Sequence, residues 1–135
     1  MSGHETALQI ALLARLRADV GLQALIGTPA RVWDEPPEDP GYPYLLIGRG
    51  ESRPVEADGC GVEHRLTLIA VSEFRGHEEA RAIVAAVRAC LEGAELEHAG
   101  VRTISLSVGL ADVFRAGDHR RIHGVMRLRA VTEGG

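Results

Sequence analysis

Across Gly76 the apolar pattern changes period, and no other feature of the chain restricts the fold as much. Upstream, VEHRLTLIAVS at 62–72 is rich in branched residues. Leu66 and Leu68 share one face while Ile69 and Val71 share the other, so both faces near its end are apolar, as in a central strand. Downstream, Ala80, Ile83, Val84, Val87, Cys90 and Leu91 recur at helical spacing between His77 and Glu92, and Gly93 ends the run. A covered strand followed by an amphipathic helix calls for a layer of helix on a layer of sheet.

The flanking segments extend this scheme. From Glu5 to about Val20, Leu8, Leu12 and Leu16 recur every four residues with Leu13 beside them, which predicts a first helix. Gly21 breaks the run, Leu22 to Ile26 can add one more turn, and a short extended piece follows at Arg31 to Trp33. Four of the six prolines then fall within residues 36–43, so DEPPEDPGYP at 34–43 reads as an exposed acidic loop. Tyr44 to Ile47 is a short apolar strand, and 48–61 reads as a second, flexible connection. Two alternating strands close the chain. Ile104, Leu106, Val108 and Leu110 share a face in the first; Ile122, Met126 and Leu128 do in the second, with Arg121, His123, Arg127 and Arg129 on its other face. RAGDH at 115–119 joins them as a hairpin. The expected fold class is α+β: a two-layer sandwich of a mainly antiparallel four- to five-stranded sheet with two helices packed on it, forming one domain over 1–135.

Charge is distributed unevenly. The net charge is −4, yet residues 34–39 hold four acids and no base, whereas 101–129 hold six arginines against Asp112 and Asp118. One acidic and one basic surface suit a subunit that docks on copies of itself or on partners. Asp34, Glu35, Arg121, Arg127 and Arg129 are therefore the candidate protein-interface residues. No apolar run is long enough to span a bilayer, and the N-terminus lacks the layout of a signal peptide, so the chain is expected to remain in the cytoplasm or in a particle assembled there.

Motifs for catalysis or metal binding are incomplete. HEEAR at 77–81 begins like HExxH but places Arg81 where the second imidazole belongs, and Glu78 and Glu79 suit the first turn of a helix. His119 and His123 would stand roughly 13 Å apart on a strand, too far to share an ion. Cys60 and Cys90 lie 30 positions apart without a CxxC pattern. The serines form no GxSxG elbow, and GRG at 48–50 lacks the rest of a phosphate loop. Two rival readings stand beside a structural protein. One is a small nucleic-acid-binding adaptor using the Arg-rich final strand, against which stand the acidic net charge and 4% aromatic content. The other is a metal-dependent hydrolase in which His64, His77 and Cys60 converge.

The leucine-rich first helix, the Val-Trp-Asp step into PYLLIG, HRLTLIAVSEFRGHEEARAIVAAVRACL at 64–91 and GDHRRIHGVMRLRAVTE at 117–133 together resemble the tail-completion or tail-terminator proteins of long-tailed, siphovirus-like phages and gene transfer agents. The similarity spans roughly residues 5–133. It implies a structural protein with no enzyme activity and no cofactor. Such a protein forms a ring, typically hexameric, that caps the tail tube, contacts the tail tube protein on one side and the head connector or stopper on the other, and passes DNA at most through its lumen. Assembly in the cytoplasm would precede a place at the head–tail junction of the particle.

Overall fold

The computed structural model describes residues 3–55, 61–73, 76–117 and 120–134. Three helices, α1 (His4–Ala18), α2 (Val20–Ile26) and α3 (Glu78–Leu91), lie on one face of a curled sheet. Its six strands are β1 (Val32–Trp33), β2 (Tyr44–Pro54), β3 (Val62–Ser72), β4 (Glu97–His98), β5 (Val101–Arg115) and β6 (Ile122–Gly134), in the spatial order β1-β2-β3-β6-β5-β4. The two-layer α+β arrangement is as expected, but the expected two helices are three and the four to five strands are six. The sheet is also mixed, because β1 runs parallel to β2, with Val32 opposite Leu45, while every other pair is antiparallel.

The helical stripes read from the sequence are the ones buried. Leu8, Leu12 and Leu16 of α1, Leu22 and Ile26 of α2, and Ile83, Val84, Val87, Cys90 and Leu91 of α3 share a cluster with Leu45, Ile47, Leu68, Ala70, Met126 and Leu128 of the sheet. Cys90 is a free thiol inside this core, and burial raises its pKa. Asp19 rather than Gly21 separates the first two helices: it is extended, and its carboxylate accepts the Leu22 amide at 2.9 Å. Gly21 is helical. At the end of α3, Gly93 takes φ +70°, and its amide donates to the Leu106 carbonyl at 3.0 Å, so the helix stop is also a tie to β5.

Two expectations about the strands are corrected. The flexible connection over 48–61 is strand as far as Pro54, since Gly50 to Pro54 continue to pair with β3 after a register shift between Ile47 and Gly50. Residues 56–60, including Cys60, and residues 118–119 of the RAGDH stretch, including His119, lie outside the described residues. The single apolar face expected for Ile104, Leu106, Val108 and Leu110 is also broken: Leu106 and Val108 are buried, but Ile104 is 57% and Leu110 69% exposed. β5 gains one residue on β6 between Thr103 and Ser105 and another between Val108 and Ala111. Each extra residue turns the following side chains to the opposite face. The second bulge is fixed from α3, where Arg88 donates to the Val108 carbonyl at 2.6 Å and to the Gly109 carbonyl at 3.1 Å, and Glu92 accepts the Val108 amide at 3.2 Å. No described helix is long and apolar enough to cross a membrane.

Candidate functional site

With all three helices on one face, side chains of opposite parity along the strands form a second face that no described helix covers. β3 contributes Glu63, Arg65, Thr67 and Ile69; β6 contributes His123, Val125, Arg127 and Arg129; register places Glu51 and Arg53 of β2 and Ser107 and Phe114 of β5 beside them. A groove of about 450 Å³ crosses this face between Arg49, Glu51, Arg65, Thr67, Ser107, Gly109, Arg127 and Arg129.

Beside the groove, Glu63 gathers the arginines. Its side chain is only 7% exposed because guanidinium groups cover it: Arg53 donates to one oxygen at 2.8 Å, Arg129 donates to the other at 2.7 Å and 2.6 Å, and Arg65 stands 4.0 Å away. Hydrogen bonds from Arg129 and then Arg53 hold the Glu63 carboxyl below its ordinary pKa. One carboxylate thus orders several cations and leaves the cluster positive.

The sequence-predicted interface residues separate into different settings. Arg129 is bound to Glu63. Arg121 lies 3.7 Å from Glu73, with its guanidinium carbon 4.9 Å above the centre of the Tyr42 ring. Arg127 is exposed, lines the groove and has no ion-pair partner among the described residues. Asp34 and Glu35 are exposed at the β1 edge on the helix side, where Asp34 accepts from Gln9 of α1 at 3.1 Å and from the Glu35 amide at 2.8 Å. Sequence reasoning missed Arg49, Arg53, Glu63 and Arg65 as parts of one surface. Arg49 and Arg53 were hidden by reading 48–61 as a loop, whereas the period-2 alternation of 62–72 already set Glu63 and Arg65 on one face.

The opposite side of β3 carries a buried polar chain. His64 is 1% exposed, and its Nε2 lies 2.9 Å from the Thr132 hydroxyl. His4 of α1 places Nδ1 2.7 Å from the same hydroxyl and Nε2 3.0 Å from the Gly134 carbonyl. A carbonyl only accepts, so His4 donates from Nε2, Thr132 donates to His4 Nδ1, and His64 donates to Thr132. The chain ties the start of α1 to the middle strands. Burial lowers the His64 pKa, partly countered by Glu5, while His4 lowers it further. An unfolded histidine titrates near 6.5, so stability is fully present above about pH 6.5 and falls as pH drops from there toward the depressed folded-state value. The thermal midpoint should therefore decline between pH 7.5 and 5, and His64→Gln should flatten that decline; parallel profiles for the two proteins would exclude His64 as its cause.

His77 sits at the start of α3, separate from His64 in the sheet, and no group of three His, Cys, Asp or Glu side chains suited to a metal occurs among the described residues. Glu79, in the HEEAR stretch, instead accepts from Ser72 at 2.6 Å and joins helix to strand.

The sequence matches the family model described as "Tail completion protein gp17" over residues 10–133. No curated protein is matched. Among solved structures the fold is similar to a chain from "Virion of native gene transfer agent (GTA) particle", with 30% identity and a TM-score of 0.87 over 99% of this chain and 100% of that one.

Proposed function

The chain belongs to the tail completion protein gp17 family, and from that premise we propose that it forms a ring which caps the tail tube of a phage-like particle and joins tail to head connector. It is a structural virion protein, not an enzyme. The supporting observation is the likeness, over nearly its whole length, to a chain of a gene transfer agent virion. A tube grows because each ring exposes the surface that seats the next, so a terminator must match that surface on one side and lack it on the other. The ring, of six subunits in this reading, meets the tail tube protein below and the head connector or stopper above.

A closed ring also needs two different lateral surfaces on every subunit. Asp34 and Glu35 on the helix side and the Arg121, Arg127 and Arg129 set beyond the sheet are proposed to supply them. Binding repeated around a ring makes the whole contact far more durable than any one interface.

Electron microscopy of particles made without this protein tests the proposal. Heads and tails should remain unjoined, and the tubes should vary in length. Intact particles with tails of normal length would remove the assignment.

A further inference from the structure

We infer that the arginine groove of the uncovered sheet face receives the acidic, proline-rich segment 34–39 of a second copy of this chain, an inference that rests on the ring reading above. The groove has cations to spare. Among the described residues Arg65 reaches only Glu63, which Arg53 and Arg129 already occupy, and Arg127 has no acidic partner. Among the described residues Arg49 meets Glu51 alone, at 3.2 Å. Like charges gathered around a hollow repel one another, and an entering carboxylate relieves that repulsion while matching the planar guanidinium fork.

The acidic segment has the complementary property. Asp34, Glu35, Glu38 and Asp39 are all exposed, and none forms an ion pair among the described residues. Prolines at 36, 37 and 40 restrict its backbone, so less conformational freedom is lost on docking. It is held at Asp34 by the Gln9 contact, and the chain just beyond it is held by Arg31, which donates to the Tyr42 and Pro43 carbonyls at 3.0 Å and 2.9 Å. The segment lies beside α1 and the groove lies on the other side of the sheet. Their contact therefore joins different surfaces of two copies, the heterologous arrangement that closes into a ring. A polynucleotide would also satisfy the arginines. The second copy is favoured because the chain carries a net charge of −4 and each copy brings one acidic segment for each groove.

The test uses the full chain in sedimentation velocity, alone and with tail tubes, with circular dichroism to verify folding. Arg65→Glu/Arg127→Glu should abolish the assembled species, as should Glu35→Arg/Glu38→Arg, and combining all four substitutions should restore it. Raising salt to the order of 1 M, where the screening length is about 3 Å, should weaken wild-type assembly. Arg65→Gln/Arg127→Gln replaces the first variant if reversal prevents folding and should reduce assembly in the same direction. Unchanged assembly in either paired variant, or failure of the folded combination to reassemble, would overturn the groove inference while leaving the ring. A wild-type chain that never assembles, even on tubes, would defeat the ring reading itself. Loss of salt-sensitive DNA retention with assembly intact would assign the groove to nucleic acid and overturn docking between copies.

Discussion

Leu16→Ala is expected to destabilise the chain by about 3 kcal/mol, within the range of roughly 2–5 for buried leucine truncations. Leu16 has 0% exposure and belongs to the cluster that joins all three helices to the sheet. The substitution removes the transfer free energy of the lost carbons and leaves a cavity whose walls are held from several sides. In a domain of this size each kcal/mol corresponds to roughly 4 °C, so thermal unfolding by circular dichroism should show a midpoint about 12 °C lower. Ile10, on the same helix but 42% exposed, is the comparison: Ile10→Ala should cost well under half as much. Equal losses at the two positions would mean that α1 is not held by its leucine stripe. Because total stability is on the order of 5–15 kcal/mol, the Leu16 variant should also accumulate poorly in the cell and be scarce in particles.

Gly124→Leu should be comparably damaging, for the opposite reason. A Cβ at Gly124 would stand 3.0 Å from Val84 Cγ2 on α3, 3.5 Å from Ala70 Cβ and 3.6 Å from the Ala80 carbonyl oxygen. Gly124→Ala requires Val84 Cγ2 to give by only a few tenths of an ångström, so it should be much milder than the leucine substitution. A leucine must displace α3 itself, at a cost of roughly 3 kcal/mol. Moving α3 would also disturb the hold of Arg88 and Glu92 on the β5 bulge, and Gly109 in that bulge lines the groove. Assembly should consequently weaken together with stability. A Cβ at Gly76 would meet nothing within 4 Å, so Gly76→Ala is the neutral control. A Gly124→Leu protein with an unchanged unfolding midpoint would show that the sheet and α3 can separate freely at this point.

Elements whose burial is one-sided and regular were legible in the residues alone. The stripes of α1 and α3 and the alternation in β3 and β6 state which face meets the core, because a helix or strand with one apolar face has one favourable orientation. The family, too, was legible, since its signature is the order of those elements. The acidic segment at 34–43 was legible through prolines that neither helix nor central strand accepts.

The remaining features were set by contacts between residues distant in the chain. Strand character from Gly50 to Pro54 comes from pairing with β3, which overrides a local composition of Gly, Ser, Pro and charge. The direction of β1, and hence the mixed sheet, follows from where its two residues pair rather than from their identity. Ile104 and Leu110 face outward because bulges in β5 reverse the alternation, and α3 satisfies the peptide groups at the second of these. The candidate surface depended on the same long-range pairing. Arg49, Arg65 and Arg127 come from three strands and are scattered along 79 positions of chain, so no local pattern unites them; the register of the sheet does, by setting side chains of equal parity side by side.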